Sequence, residues 1–495
     1  MPDFQRVFPV SGIVQNAGSI HVSDGPFVMH SLVFVGHFLI TVMALLAVYW
    51  MHHRGILSMD ERHGRGLPKW AVGVFLLGAV VFELASLKAS SPPDVLWDFL
   101  NAYYPAGQAV LIHDPAMLHD LIGKGVTGFV NIPVVAYWFA PFGWLPPLTA
   151  AVLYTAIGVG LSVAAWWLLV RLAGLEVRER WLLGILFFAN GPLLNGIKFG
   201  NLSYFILLAL AGGLALLRAG HSGAAGALLG VATVIKPPLA LFGFFFLFRR
   251  DLMGTVGFVL VGVMTAILSL LLFGWAENLY WFETCIVQYS HSWLSAFSVQ
   301  SISAFIIRLR PGIGIDYVDS LPQIPTSGEN LAATMVTVLL FVIAIAACIR
   351  RTTSGFPRDE AQAQLRMDLQ YLLVLCLVLV SSPLSWDRYY SWLLMPTAFF
   401  LGARPPFSPS RILRGLGWVA IALVTPLVMR PASLEVFGQL AVFRFVVSRL
   451  LFGGLLWFGL IGWWLARSGG LLAPLSIGRA IEVPQTNGAR SSQAA

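Results

Sequence analysis

Long runs of apolar residues, separated by short polar segments, recur from residue 32 to residue 465 of this 495-residue chain. A helix of about 20 apolar residues crosses the ~30 Å hydrocarbon core of a bilayer. Hydrophobic residues make up 58% of the sequence and charged residues only 11%, which excludes an ordinary soluble domain. The pattern predicts an all-α integral membrane protein, a bundle of about 12–13 transmembrane helices with two long outer loops.

The candidate spans are the apolar runs at residues 32–50, 70–87, 148–170, 181–194, 204–217, 224–235, 239–248, 253–273, 331–349, 369–380, 390–401, 416–428 and 442–465. Several of them are too short to cross a bilayer alone. Lys236-Pro237-Pro238 interrupts one pair, because proline breaks the hydrogen-bond ladder of a helix. The two runs that flank it are either two short crossings or one broken, re-entrant element, so the helix count there stays open.

Arginine-rich segments fall on alternate loops of this arrangement. Cytoplasmic loops carry an excess of Lys and Arg, so the net charge of +8 reflects topology and not nucleic-acid binding. The N-terminus is then outside and the C-terminus inside the inner (plasma) membrane. We predict an outer segment at residues 1–31, a membrane domain at 32–467 with outer loops at 91–147 and 274–330, and a disordered cytoplasmic tail at 468–495. No basic segment precedes the run at 32–50, so we interpret it as an anchor and not as a cleaved signal peptide.

Two carboxylates, Asp94 and Asp98, stand at the start of the first outer loop. Acids at the membrane boundary of a chain that avoids charge in its apolar segments are candidates for chemistry. Asp94 follows two prolines, and helix capping explains it more simply than catalysis does. Asp98 lies between two aromatic residues in a predicted amphipathic helix, where capping does not explain it, although a solvated surface acid remains an alternative. Asp98 is therefore the candidate catalytic carboxylate and Asp94 a secondary acid.

Three cations, Lys198, Lys236 and Arg388, lie on the predicted outer side, against the positive-inside bias. A single lysine near a helix end usually reaches toward lipid headgroups. Three cations together indicate a bound anion such as a phosphate. Arg388 is the first candidate because its planar guanidinium matches phosphate oxygens, and Lys236 and Lys198 follow in that order. Possible substrate contacts in the same segments are Tyr103, Tyr104, Asn201, His291 and Trp386. The three cysteines indicate neither a disulfide nor a metal site.

Five motifs, in chain order, resemble those of glycosyltransferase family 87. They are Asp-Phe…Tyr-Tyr-x-Ala from residue 98, Phe-x-x-x-Pro-x-x-Ala…Ala-Pro from 129, Gly-Asn at 200, Gly-x-Ala…Ile-Lys-Pro from 230, and Ser-Pro-x-Ser-Trp-x-x-Tyr from 382. The resemblance runs from about residue 71 to 401 and implies a GT-C fold, whose first outer loop bears the catalytic acid, here Asp98. The family includes mycobacterial phosphatidylinositol-mannoside mannosyltransferases, so the resemblance implies transfer of mannose or another hexose. The extra run at 32–50 departs from the minimal GT-C plan.

The resemblance further implies a polyprenyl-phosphate-linked sugar donor, a lipid or glycan acceptor and an inverting transfer on the outer face of the membrane. Such a transfer needs a base for the acceptor hydroxyl and cations for the departing phosphate. The sequence has no GxGxxG between a predicted strand and a helix and no Asp-x-Asp pair, which favours a lipid-linked donor over a nucleotide sugar and a reaction without metal or other cofactor. The alternatives are a flippase or ligase of lipid-linked glycans, which would use the cations without Asp98 as base, a secondary transporter, for which we find no internal repeat, and a non-catalytic scaffold.

Overall fold

The computed structural model describes residues 95–315, 322–349, 360–402, 411–425 and 441–467. The predicted spans at 32–50 and 70–87, Asp94, and the segments 1–31 and 468–495 lie outside these ranges. Within them the chain forms helices and helical turns and no β-strand, which confirms the predicted all-α class.

Helices of seven or more residues are numbered here in chain order. They are α1 Tyr104–Leu111, α2 Pro115–Gly123, α3 Pro147–Leu172, α4 Val177–Phe188, α5 Gly191–Phe199, α6 Ser203–Arg218, α7 Ser222–Ile235, α8 Leu241–Phe248, α9 Leu252–Trp281, α10 Ile302–Arg308, α11 Ser327–Ile349, α12 Glu360–Ser381, α13 Leu394–Leu401, α14 Arg411–Val424, α15 Ala441–Val447 and α16 Arg449–Arg467. Within the described ranges, each predicted span from residue 148 onward overlaps one of these helices or two that follow each other, while residues 426–428 of one span lie outside these ranges. The apolar runs therefore located the helices.

Five helical segments of the described ranges are long and apolar enough to cross a membrane: α3, α9 with its continuation to residue 291, α11, α12 and α16. The pair α4 and α5 is bent by 49° and gives a sixth if it counts as one broken span. Shorter apolar helices, among them α6 and α7, lie between these. The protein is a multi-pass membrane protein, with the short helices packed among the longer ones.

Glycines bring α7 and α9 into close contact. A Cβ built on Gly226 would lie 2.0 Å from the carbonyl oxygen of Gly254, and one on Gly257 would lie 2.2 Å from that of Gly223. Lipid tails are as apolar as side chains, so helices in a membrane associate largely by such close backbone approach. The outer face of α9 carries exposed apolar side chains and is almost unburied, as expected of a lipid-facing helix.

The predicted outer loop at 274–330 begins later in the structure than at residue 274. Gly274 adopts φ 73° and bends α9, but the helix resumes and continues through a π-helical turn, Phe282–Val287, to His291. The Asn278 amide donates to the carbonyl oxygens of Gly274 at 2.7 Å and Ser269 at 3.1 Å, which satisfies backbone groups that the bend exposes. The predicted span at 253–273 is therefore too short, because Gly274 marks a bend within a longer helix.

The segment after His291 braces the turn that follows α12. The amide of Gln300 donates to the carbonyl of Ser385 at 2.6 Å, and Val299 pairs with Trp386 in an isolated bridge. The buried guanidinium of Arg308 holds this segment by donating to the carbonyls of Ala296 and Val299 at 2.8 and 2.7 Å. Its burial lowers the pKa of Arg308 to about 9. Part of the second outer loop is thus a structural support.

The glycine contact between α7 and α9 predicts a strong position dependence of substitution. Gly226→Ala should lower the melting temperature of the detergent-solubilised protein, because the added methyl meets backbone that cannot move aside, and overpacking costs about 1–3 kcal/mol. Gly262→Ala in α9 is the matched control, since a Cβ there meets nothing within 4 Å, and it should leave the melting temperature unchanged or slightly raised. Equal melting temperatures for the two variants would contradict the packing.

Candidate functional site

A half-enclosed cavity of about 280 Å³ opens at one end of the bundle. Its walls come from five separate stretches of the chain: the segment from Asp98 to Asn131, Asn201, the break at Lys236, the end of the helix that continues α9, and the turn 382–389. These are the stretches that the basic-residue pattern assigned to one side of the membrane. The volume is close to the lower end of the ~300–1,000 Å³ usual for small-molecule sites.

Asp98 lies in this cavity with one carboxylate oxygen held and the other available. Its Oδ2 accepts a hydrogen bond from the Asn201 amide at 2.6 Å and lies 3.2 Å from Nη2 of Arg388. No described residue hydrogen bonds its Oδ1. The side chain caps no helix N–H, in agreement with the prediction that capping does not explain this acid. An oxygen without a protein partner beside a cavity can accept a proton from a ligand.

The backbone around Asp98 is strained. Leu96 adopts φ 56°, a left-handed conformation that is unfavourable for a side chain of this size. Its N–H donates to the carbonyl of Lys198 at 2.6 Å, and this bond ties the start of the outer loop to α5. The chain then forms a π-helical turn, Phe99–Tyr103, that leads directly into α1. Strain of this kind persists where surrounding contacts fix the backbone, and it is common near functional groups.

The Gly200-Asn201 turn aims an amide at Asp98. Gly200 ends α5 with φ 66°, and a Cβ there would lie 2.7 Å from Cβ of Phe99, so only glycine allows this approach without strain. The Oδ1 of Asn201 accepts hydrogen bonds from the backbone N–H of Ser203 at 3.1 Å and from its hydroxyl at 2.7 Å. These bonds leave the Nδ2 group of Asn201 to donate to Asp98.

Arg388 is held from behind by a buried acid. The Oδ1 of Asp387 accepts the backbone N–H of Arg388 at 2.8 Å, and its Oδ2 accepts from the Asn195 amide at 2.8 Å. Burial raises the pKa of Asp387 to about 6, against the opposing effect of the Arg388 charge and these hydrogen bonds. The Arg388 guanidinium lies over the ring of Trp386, 4.8 Å from its centroid. These contacts direct the arginine toward the cavity and toward Asp98.

Lys236 supplies a second buried cation. The residue ends α7 directly before Pro237, in an extended backbone conformation that is typical of a residue preceding proline. It is only 4% exposed, and its ammonium lies 4.8 Å from the centroid of the Tyr389 ring. In the described ranges no carboxylate lies within salt-bridge distance of it. A buried ammonium is costly unless an anion or hydrogen bonds compensate, so its place in the cavity wall indicates an anionic ligand.

Tyr103 adds an aromatic wall next to the acid. Its ring stacks on Phe139 with centroids 4.6 Å apart. Burial, and the nearby Asp98 carboxylate, raise the pKa of Tyr103 well above its usual value. A tyrosine of ordinary pKa, about 10, is already protonated at neutral pH, and the hydroxyl of Tyr103 can therefore act as a hydrogen-bond donor.

The structure brings together six of the predicted site residues and not three others. Those that line the cavity are Asp98, Tyr103, Asn201, Lys236, Trp386 and Arg388. Lys198 lies with its ammonium 5.7 Å from the centroid of Phe199, outside the cavity lining. Tyr104 donates its hydroxyl to the carbonyl of Leu145 at 2.8 Å, and His291 is exposed at a helix end. The roles of all these residues remain predictions.

Several polar residues of the site were not singled out from the sequence. Asp387 and Asn195 stand in segments that were recognised, but nothing in the sequence signals that they pair. Asn131 lies in the motif that begins at residue 129, from which no site residue was predicted, yet it lines the cavity. Within the described part of the chain, no three His, Cys, Asp or Glu side chains come together where they could hold a metal ion.

A chain of membrane-crossing helices, with an acid and two cations in one cavity, has the polar groups that a membrane enzyme would need. The profile of glycosyltransferase family 87 matches residues 129–383, more than half of the sequence. The chain belongs to this family and is a membrane glycosyltransferase. Searches of curated proteins and of solved structures gave no match. The matched stretch contains Asn201 and Lys236, while Asp98 and Arg388 lie beyond its two ends.

The raised pKa of Asp387 predicts a pH-dependent stability. The pKa is about 6 in the folded protein and about 3.9 in an unfolded chain, so the folded state binds the additional proton between these values. The stabilisation is complete below about pH 4 and is lost as the pH rises through about 6, by at most about 3 kcal/mol. Asp387→Asn should remove this loss. The melting temperature of the variant minus that of the wild type should therefore rise as the pH increases from 4.5 to 7.5.

The control for this measurement is Asp114→Asn. Asp114 caps α2 by accepting the N–H of Met117 at 3.0 Å, and asparagine caps a helix about as well as aspartate. Its melting curve should follow the wild type across the same pH range. A parallel course of the Asp387→Asn and wild-type melting temperatures would contradict the assigned titration.

Proposed function

We propose that the protein transfers mannose or another hexose from a polyprenyl-phosphate donor to a hydroxyl of a lipid or glycan acceptor, with inversion at the sugar and without a metal ion or other cofactor. The reaction would take place in the cavity, at the outer face of the inner membrane. The observation that carries this proposal is the combination of one carboxylate and two buried cations in a single cavity of a family 87 glycosyltransferase.

The two cations would hold the donor phosphate. Arg388 and Lys236 both line the cavity and are both largely buried, so little water screens their charge. When the bond between the sugar and the phosphate oxygen breaks, negative charge grows on the departing polyprenyl phosphate. Cations fixed in advance at that position stabilise the transition state more than the ground state.

Asp98 would accept the proton of the attacking hydroxyl. The acceptor oxygen bonds to the anomeric carbon as the bond to the phosphate oxygen breaks, and the hydroxyl proton passes to the carboxylate. Its Oδ2 is occupied by Asn201 and Arg388, which leaves Oδ1 for this proton. A single displacement of this kind inverts the sugar and needs no second carboxylate, unlike a retaining glycosidase.

The helix that continues α9 would guide the lipid tail. Upstream of it, α9 presents exposed apolar side chains along most of its length, and the continuation places Cys285, Ile286 and Tyr289 in the cavity wall. A cavity of about 280 Å³ holds a sugar phosphate but not a polyprenyl chain. The tail would therefore remain in the bilayer along this helix while the headgroup enters the cavity.

Replacing Asp98 should abolish turnover but not donor binding. Asp98→Asn keeps the size of the side chain and cannot accept the proton, so the rate should fall about a hundred- to ten-thousand-fold, the usual contribution of a general base. Asp114→Asn, a helix-cap variant that removes one charge from the same loop, should stay near wild-type activity. Full activity of Asp98→Asn would exclude the mechanism and favour a flippase of lipid-linked glycans, which needs no base.

The two cavity cations should matter more than the cation outside the cavity lining. Arg388→Ala should lower the rate by a factor on the order of a hundred, and Arg388→Lys by less, because lysine keeps the charge but loses the two-pronged contact with phosphate. Lys236→Ala should also impair the use of the donor, whereas Lys198→Ala removes the same charge elsewhere and should have a small effect. A larger effect of Lys198→Ala than of Lys236→Ala would place the phosphate elsewhere.

The direct test of the proposal is a transfer assay. Membranes that contain the wild-type protein are incubated with radiolabelled polyprenyl-phosphate mannose, glucose and galactose, with Asp98→Asn membranes as the blank. We expect one of these donors to be consumed and its label to appear on a lipid or glycan. Label transferred from a nucleotide sugar in purified protein, and from none of the lipid-linked donors, would overturn the proposed donor class.

A further inference from the structure

Two buried polar groups of the cavity wall have no hydrogen-bond partner among the described residues. They are Nδ2 of Asn131, a residue that is only 2% exposed, and the hydroxyl of Ser382, a residue that is 7% exposed. Burying such a group without a partner costs about 1–3 kcal/mol. An exception of this kind in a folded protein needs an explanation, and a ligand that enters the cavity and completes the hydrogen bonds supplies one.

The segment that carries Asn131 is held firmly. Trp281 donates its indole N–H to the carbonyl of Val130 at 3.0 Å, and the Tyr289 hydroxyl accepts the N–H of Val126 at 3.1 Å. Pro133 begins the next helical turn and fixes the exit of the segment. These contacts fix the backbone on both sides of Asn131 and so hold the residue in the cavity wall.

We propose that Asn131 and Ser382 bind hydroxyl groups of the donor's sugar ring and thereby help to decide which sugar is transferred. This inference rests on the proposed function. An amide and a hydroxyl are neutral groups that both donate and accept hydrogen bonds, which matches sugar hydroxyls. The negatively charged phosphate is instead complementary to the cations Arg388 and Lys236.

The donor sugar fits these positions better than the acceptor does. In the donor the sugar ring is bonded directly to the phosphate, so its hydroxyls must lie close to the two cations, in the same cavity. The acceptor has to bring only its attacking hydroxyl to Asp98. A site built to hydrogen bond a substrate hydroxyl strongly rejects an analogue that lacks it, because the buried groups of the protein are then left without partners.

The test compares binding of donors with and without a sugar. The affinity of the purified protein is measured for undecaprenyl phosphate and for undecaprenyl-phosphate mannose, glucose and galactose. We expect the wild type to bind one sugar-bearing donor more tightly than undecaprenyl phosphate alone. Asn131→Leu should lower the affinity for that donor about tenfold, the equivalent of one lost hydrogen bond, and should leave the affinity for undecaprenyl phosphate unchanged.

Two controls separate recognition from folding. Asn131→Leu replaces an unpartnered buried amide by an apolar side chain of similar size, so its melting temperature should equal or exceed that of the wild type. Ser298→Ala is matched to Ser382→Ala, because the Ser298 hydroxyl is also buried without a partner but does not line the cavity. Of these two variants, only Ser382→Ala should lower the affinity for the sugar-bearing donor.

The outcomes distinguish this inference from the proposed function. Equal affinity of wild type and Asn131→Leu for every donor would overturn the inference alone. The same holds if donor binding is unchanged and only the KM for the acceptor rises, since the amide would then contact the acceptor. A wild type that binds none of the four lipids would overturn the proposed function, and this inference with it.

Discussion

The ion pair between Asp98 and Arg388 connects the segment before α1 to the turn after α12, and the site depends on it. Charges near the hydrocarbon boundary are costly unless they are paired and hydrogen bonded. Here the Asn201 amide completes the pairing by donating to the same carboxylate oxygen. Three segments that are distant in the sequence are therefore fixed against one another by a single Oδ2 atom, while Oδ1 stays available. The pair serves structure and chemistry at once, because the arginine that balances the acid is also placed to meet an anion.

The balance of charge in the site depends on residues behind the cavity wall. Arg388 and Lys236 face a single acid, Asp98, within the cavity, which leaves the cavity positive. Asp387 holds Arg388 through its backbone, but it is buried and its pKa is raised to about 6. Near neutral pH it is largely ionised and moderates the field of the cations. In more acidic surroundings it becomes neutral, and the potential of the cavity becomes more positive.

The sequence predicted the helices better than it predicted the contacts between them. Apolar runs identify membrane helices because each must satisfy its own backbone hydrogen bonds in lipid. The helix end predicted at residue 273 was wrong, because the helix bends at Gly274 and continues into a more polar stretch. In the site, Tyr103 lines the cavity while its neighbour Tyr104 does not. Adjacent helical residues point about 100° apart, and the sequence alone does not show which of the two faces inward. The pairing of Asn195 with Asp387 depends on packing between α5 and the turn after α12, for which a single sequence contains no local signal.

The position of the cavity follows from where the helices are interrupted. Irregular backbone is tolerated at membrane depth only where protein or a water-filled cavity surrounds it. Gly200 ends α5, Lys236-Pro237 ends α7, and the π-helical turn Phe282–Val287 modifies the continuation of α9. Each interruption contributes residues to the same cavity wall. The proposed transfer from a lipid-linked donor would require polar groups close to a lipid-facing helix, and these three interruptions place such groups beside the continuation of α9.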